Sequence, residues 1–133
     1  MNPGAARQAQ APRVLFAEDD ASVVQMYRLK LELDGYQVVM AKDGEEGLRL
    51  ANEVDPDIVF LDIRLPKVDG FAVLEGLRAC DRTRNVPVVI LSNYGEQELV
   101  DRGLRLGALE YLIKSQTTPA NLSRGVENWL REE

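Results

Sequence analysis

Histidine is absent from the 133 residues of the chain, and there is a single cysteine, Cys80. Without histidine the chain lacks the commonest general base and metal-binding side chain, and it cannot carry a phosphohistidine itself. One cysteine excludes an intrachain disulfide and favours a reducing compartment. Any catalytic work therefore falls to carboxylates, lysine and hydroxyl groups.

The sequence also lacks long apolar runs and any excess of basic residues. No run approaches the roughly 18 apolar residues of a membrane span, and the N-terminus lacks the apolar core of a secretory signal. We therefore expect a cytoplasmic protein that does not bind membranes. The net charge is −6, with 22 acidic and 16 basic residues. Direct binding of nucleic acid is not expected, because no basic stripe would hold the phosphates.

The length and an apolar fraction of 45% are sufficient for one hydrophobic core. Residues 1–12 are rich in Ala, Gln, Gly and Pro and contain almost no large apolar side chains. We expect these residues to form a disordered arm, because they cannot contribute to a core. The folded domain is predicted over residues 13–131.

Five short apolar runs predict strands. They are nearly continuous in Val, Ile, Leu and Phe, as strands buried on both faces of a parallel sheet are. The predicted strands are 14–17, 38–41, 58–61, 88–91 and 111–113.

Helical patterns separate and follow these runs. Three helices have N-terminal signals, with Asp43, Asp69 and Thr118 as the predicted caps. The helix over residues 22–34 should end at Gly35 and bury Val23, Met26, Tyr27 and Leu31. The fourth helix should begin at Asn93 or Gly95, and its side chains Leu99, Leu104 and Leu106 should point toward the core.

Strand and helix thus alternate five times. Parallel strands need right-handed crossover connections, so we predict a single α/β domain with a doubly wound, five-stranded parallel sheet. Ligands of such sheets bind in a crevice at the carboxyl ends of the strands.

Polar residues follow four of the five predicted strands at that edge: Glu18, Asp19, Asp20, Asp62, Ser92 and Lys114. Taken singly, most have simpler explanations, since the acidic triplet suits a helix N-terminus, serine suits a turn and lysine suits the surface. Asp62 is harder to dismiss, because it closes a buried apolar run where only a loop cap or a functional site would place a carboxylate. Four such features at one edge of the sheet instead favour a site. Clustered carboxylates need a cation, and hard oxygen ligands without histidine select Mg²⁺ or Mn²⁺ over zinc. The metal and Lys114 together would neutralise a transferring phosphoryl group.

Four segments carry a family resemblance: VLFAEDD at 14–20, DIRLPKVDG at 62–70, VVILS at 88–92 and GALEYLIK at 107–114. With these in order, the sequence resembles bacterial response-regulator receiver domains from about Arg13 to Leu130. The resemblance implies a flavodoxin-like (βα)5 fold and a phosphoacceptor function in two-component signalling.

The resemblance also implies residue roles. Asp62 would be the phosphoacceptor, and Ser92 and Lys114 would contact the phosphoryl group. Ser92 and Tyr111 would form the switch, although an aromatic residue in a strand also commonly packs on a helix. The implied metal ligands are Glu18 (mainly through water), Asp19, Asp62 and the backbone carbonyl of Arg64. Arg64 and Tyr94 lie at positions that flank the phosphoryl group in the family, and our hypothesis is that their large side chains shield it from water.

The implied partners are a histidine kinase or histidine phosphotransfer protein and a downstream protein effector. The chain would be a switch that assists its own Mg²⁺-dependent phosphorylation and dephosphorylation, not an enzyme, and a monomer or weak dimer.

Two departures from the family pattern leave an alternative open. Asn93 stands where the family has a small residue, and Ser115 stands where it commonly has a proline after a cis bond. We expect a trans bond or a strained loop after Lys114, because a cis bond without proline costs about 3 kcal/mol. The alternative is a receiver-like interaction module that no longer uses phosphorylation. A flavodoxin-type electron carrier is disfavoured by the acidic triplet, and a dehalogenase-like phosphatase is disfavoured by Arg64 two residues after Asp62.

Overall fold

The computed structural model describes residues 11–131 and contains one parallel five-stranded sheet. The strand order is β2-β1-β3-β4-β5, which confirms the predicted doubly wound α/β fold. The strands are β1 (Arg13–Ala17), β2 (Gln37–Ala41), β3 (Ile58–Leu61), β4 (Val88–Ser92) and β5 (Glu110–Ile113). The central strands β1, β3 and β4 are almost entirely buried, as their nearly continuous apolar runs predict. The edge strands β2 and β5 are only partly buried, so the expectation of burial on both faces is wrong for these two.

Helices follow every strand and cover both faces of the sheet. They are α1 (Ala21–Leu33), α2 (Gly44–Val54), α3 (Gly70–Ala79), α4 (Gln97–Arg105) and α5 (Pro119–Arg131). One hydrophobic cluster packs between the sheet and α2 and α3, and includes Leu74 and Leu77. A second lies under α1 and α5 and includes Phe16, Tyr27 and Trp129. The sheet is therefore buried on both sides, and its strand ends remain available for polar residues.

The predicted N-terminal caps of three helices are confirmed by their hydrogen bonds. The Asp43 side chain accepts from the backbone N–H of Glu46 at 2.7 Å. The Asp69 side chain accepts from the N–H of Ala72 at 3.0 Å. The Thr118 hydroxyl accepts from the N–H of Asn121 at 3.1 Å. These contacts satisfy N–H groups that have no partner within the helix, and so fix where each helix begins.

The predicted start of the fourth helix is wrong. Neither Asn93 nor Gly95 opens it, because α4 begins at Gln97 and residues 93–96 form a loop. The polar backbone groups of Tyr94 in that loop are bound to Ser92 and Tyr111 instead of to a helical turn. Tertiary contacts thus outweigh the local capping signal.

Two predicted core positions are also wrong. Leu104 is exposed, and the adjacent Gly103 is the buried residue of α4. Met26 is exposed, while Val24, Tyr27 and Leu31 form the buried face of α1. Neighbouring residues of a helix point about 100° apart, so a one-residue error in phase turns a predicted core side chain outward.

The loop from Asp62 to Gly70 is held by close backbone approaches. A Cβ on Gly70 would lie 2.2 Å from the carbonyl oxygen of Asp62. A Cβ on Gly44 would lie 1.7 Å from the carbonyl oxygen of Val68. Only glycine fits at both points, because real Cβ atoms do not come this near to backbone atoms. The N-termini of α2 and α3 therefore clamp the loop that follows β3.

Within residues 11–131, no helix is long and apolar enough to cross a membrane. The arm predicted over residues 1–12 lies, apart from its last two residues, outside the described range.

Replacing Gly70 with alanine should destabilise the fold by roughly 1–3 kcal/mol, because the new methyl group overlaps backbone that cannot move aside alone. Gly47→Ala is the matched control, because its Cβ would meet Ala17 at an ordinary 3.7 Å. That control should be neutral or stabilised, since alanine favours a helix over glycine. Urea unfolding of both variants measures the difference. Equal stability of Gly70→Ala and the native protein would contradict the proposed clamp.

Candidate phosphoacceptor site

A crevice lies at the carboxyl ends of the strands, between the loops that follow β1, β3, β4 and β5. It is lined by Glu18, Asp19, Asp20, Val23, Met26, Tyr27, Asp62, Arg64, Asn93, Tyr94, Lys114 and Ser115. The predicted convergence of polar residues from different strands thus occurs. Parallel pairing produces it, since β3 lies between β1 and β4 and brings Asp62 to the middle of the edge.

Three carboxylates meet in this crevice. Glu18, Asp19 and Asp62 each offer one oxygen atom, and these three atoms lie within 4.8 Å of one another. Glu18 and Asp62 are buried, whereas Asp19 is exposed. Backbone N–H groups orient the buried pair, from Asp20 to Glu18 at 3.1 Å and from Arg64 to Asp62 at 3.2 Å.

Lys114 joins the two buried carboxylates. Its Nζ donates to Oδ2 of Asp62 at 3.0 Å and also contacts Oε1 of Glu18. Lys114 follows β5 directly, and its bond to Ser115 is trans, since the described chain contains no cis peptide. A short 3-10 helix, Lys114–Gln116, begins there. The ammonium group therefore reaches the middle of the crevice from the edge strand of the sheet.

Burial and neighbouring charges shift the pKa values of Glu18 and Lys114. Burial raises the pKa of Glu18 from 4.5 to about 7, although Lys114 opposes the shift. Burial alone would lower the pKa of Lys114, but its hydrogen bonds and charge interactions with Glu18 and Asp62 leave that pKa above its usual value. Lys114 thus stays an ammonium ion at neutral pH, while Glu18 is poised to exchange a proton or accept a further cation.

Ser92 and Tyr111 meet at the backbone of Tyr94. The N–H of Tyr94 donates to Oγ of Ser92 at 3.0 Å, and the Tyr111 hydroxyl donates to the carbonyl of Tyr94. Ser92 has no exposed surface. Burial raises the pKa of Tyr111, partly offset by a hydrogen bond with Ser92. The two predicted switch residues are therefore connected through one loop residue.

Some features of the crevice were not predicted. Asp20 does not join the carboxylate cluster, because it is the N-cap of α1 and accepts from Ser22 and Val23. The helix-terminus explanation is right for this member of the triplet. Met26 lines the crevice although it was predicted to be core. The helical spacing of Met26 predicted a buried side chain and gave no indication that it lines the crevice.

The donor set fits a hard divalent cation. Its carboxylate oxygens, two of them buried, are the ligands that Mg²⁺ and Mn²⁺ prefer, and the exposed Asp19 leaves one side open to water. Oε1 of Glu18 is buried and its partner is the ammonium group of Lys114, with no further hydrogen bond to it, so this oxygen retains a lone pair for another positive partner. A bound cation would oppose the repulsion between these carboxylates.

Comparison with known proteins agrees with this geometry. The family model of the response regulator receiver domain matches residues 14–126. The chain belongs to that family, and it is the receiver domain of a two-component response regulator.

Curated relatives are longer regulators. The chain is 39% identical over 113 residues to the DNA-binding dual master transcriptional regulator RpaA of Synechocystis sp., covering 85% of this chain and 47% of that protein. It is 42% identical over 104 residues to the transcriptional regulatory protein PrrA of Mycobacterium tuberculosis, covering 78% and 44%. The chain thus spans less than half the length of these relatives.

Solved structures of receiver domains superimpose on almost the whole fold. A Francisella response regulator receiver domain is 33% identical with a TM-score of 0.83, covering 91% of this chain and 98% of that one. The receiver domain of a Pseudomonas aeruginosa sensor histidine kinase is 28% identical with the same TM-score and the same coverage. The latter structure has a magnesium ion coordinated in its active site cleft.

The raised pKa of Glu18 predicts a pH dependence of stability. Between pH 4.5 and about 7, Glu18 holds a proton in the folded protein that it loses in the unfolded chain, so the contribution of Glu18 to the free energy of unfolding should fall as pH rises through this window. Glu18→Gln should remove that decrease, because the amide does not titrate. The free energy of unfolding is measured for both proteins by urea unfolding in the presence of a metal chelator, at pH values across this window. Parallel pH profiles of the two proteins would contradict the assignment.

Proposed function

We propose that this receiver domain, residues 13–131, accepts a phosphoryl group on Asp62 in a divalent-metal-dependent reaction. The observation that carries the proposal is the 3.0 Å contact between Lys114 Nζ and Oδ2 of Asp62, in a crevice that holds two more carboxylates. An ammonium group beside an acceptor carboxylate reduces its repulsion of an incoming phosphoryl dianion.

In the proposed reaction, a carboxylate oxygen of Asp62 attacks the phosphorus of a phosphohistidine on a partner protein. The new O–P bond forms as the P–N bond breaks, and the departing nitrogen keeps the bonding electron pair. The imidazole ring takes up one proton from solvent, at its other nitrogen before transfer or at the departing nitrogen after it, and is left neutral. The product is an acyl phosphate. The backbone N–H of Arg64 holds Oδ1 of Asp62 at 3.2 Å and so orients the nucleophile.

Glu18, Asp19, Asp62 and the backbone carbonyl of Arg64 would hold Mg²⁺ or Mn²⁺. Such a cation, when bound, supplies positive charge that offsets the phosphoryl oxygens and the carboxylates together. Lys114 holds Oδ2 of the acceptor carboxylate and would pair with a phosphoryl oxygen after transfer.

Ser92 and Tyr111 are the proposed switch. A phosphoryl oxygen would accept a hydrogen bond from the Ser92 hydroxyl, drawing Ser92 toward Asp62. Because Tyr94 binds Ser92 through its N–H and Tyr111 through its carbonyl, this movement would shift the β4–α4 loop and the tyrosine ring together. The expected result is a repacked face made of α4, β5 and α5.

The proposed phosphoryl donor is a histidine kinase or a histidine phosphotransfer protein, because this chain has no histidine to start a relay. The proposed receiver of the signal is a protein effector that binds the switched face, without direct contact of this domain to nucleic acid. We propose a monomer or weak dimer that acts as a switch and assists only its own phosphorylation and dephosphorylation.

Incubation with Mg²⁺ and acetyl phosphate should add one phosphoryl group to the native protein, as measured by intact mass. Asp62→Asn should abolish the gain, because an amide oxygen is a poor nucleophile for phosphorus. Chelation of Mg²⁺ should also abolish it. Asp69→Asn is the matched control, because Asp69 lies in the same loop but caps α3 and should leave the gain intact.

A native protein that gains no mass would contradict the proposal and favour the interaction module that no longer uses phosphorylation. A full gain in Asp62→Asn would place the acceptor elsewhere.

A further inference from the structure

The guanidinium group of Arg64 lies over the ring of Tyr94, with Cζ 4.5 Å from the ring centroid. Both side chains are exposed and line the crevice that contains Asp62. The backbone N–H of Arg64 also binds the acceptor carboxylate. This side chain therefore bridges the crevice from the Asp62 turn to the loop after β4.

Arg64 stacks on an aromatic ring in a crevice that contains three clustered carboxylates. Among residues 11–131, no carboxylate lies within ion-pair distance of its guanidinium, whereas Lys114 contacts two of them. Arg64 thus carries a positive charge that is not committed to an anion within the described part of the chain. Such a group is available to bind a new anion at small cost.

Phosphorylation would change the charge balance of the crevice. With Glu18 ionised, three carboxylates are balanced by Lys114 and one divalent cation. An acyl phosphate on Asp62 carries two negative charges where the carboxylate carried one, so one negative charge remains unbalanced. Arg64 is the nearest uncommitted cation along the chain, two residues from the acceptor.

The two possible partners of Arg64 differ in strength. A cation–π contact between exposed side chains is weak. A charge-assisted hydrogen bond from a guanidinium to a phosphoryl group is stronger and is often bidentate. The Arg64 guanidinium should therefore leave the Tyr94 ring and bind the phosphoryl oxygens once these are present.

We propose that Arg64 is a phosphoryl-binding residue that is stacked on Tyr94 until Asp62 is phosphorylated. Its departure would free the Tyr94 ring at the moment when Ser92 pulls on the Tyr94 backbone. Arg64 would then act as a positioning residue of the switch, in addition to any shielding of the phosphoryl group. This inference rests on the proposed phosphorylation of Asp62.

The test follows the Arg64 side chain by NMR in the full chain. Protons that lie over an aromatic face are shifted upfield by the ring, so the Arg64 side-chain protons should be upfield in the native protein relative to Tyr94→Leu. Addition of Mg²⁺ and acetyl phosphate should remove this difference and move the Nε–Hε signal downfield, as expected for a hydrogen bond to phosphate. Intact mass of the same sample records phosphorylation independently.

Arg64→Ala provides a second measurement. Without phosphorylation, its Tyr94 ring signals should already be displaced from the native positions in the direction in which phosphorylation moves them, and ring signals unchanged by the substitution would count against the stacking. Retention of the upfield Arg64 shift in a sample that has gained one phosphoryl group would overturn this inference and leave the proposed function intact. A sample that gains no phosphoryl group would overturn both.

Discussion

The site depends on one ionic contact, the placement of the Lys114 ammonium group between Glu18 and Asp62. Both carboxylates are buried, and burial of like charges side by side is unfavourable without a positive partner. The ammonium group reduces the repulsion between the two carboxylates but does not fully compensate their burial, because the pKa of Glu18 is still raised to about 7. The crevice therefore retains an affinity for more positive charge, which a receiver domain is expected to meet with a divalent cation.

The fold serves this contact by bringing together distant parts of the chain. β1, β3 and β5 supply the three groups from their carboxyl ends, and the sheet order places β3 next to β1 while β4 separates it from β5. The long side chain of Lys114 reaches from the end of β5 past β4 to the end of β3. The backbone approaches at Gly70 and Gly44 fix the loop that carries Asp62 and so hold the acceptor in place.

The sequence predicted the strands, and the convergence of polar residues at their carboxyl ends, better than the start of α4 and the exposure of single helical residues. Strands buried on both faces leave long apolar runs, and polar residues at their ends are conspicuous. The predicted start of α4 was wrong, because contacts of the Tyr94 backbone with Ser92 and Tyr111 hold residues 93–96 in a loop. The predicted burial of Leu104 was wrong by one residue of helical phase, since Gly103 is the buried residue. The stacking of Arg64 on Tyr94 had no sequence signal either, since it joins residues thirty apart through side-chain direction alone.

Calorimetric titration of Mg²⁺ into the native protein and Lys114→Met tests the central contact most directly. Lys114 and Mg²⁺ neutralise the same carboxylates, so removal of the ammonium group should tighten Mg²⁺ binding several-fold. Lys67→Met is the control of equal charge, because Lys67 pairs with Asp43 at 3.7 Å outside the crevice and should change the affinity little. Unchanged or weaker Mg²⁺ binding in Lys114→Met would contradict the account.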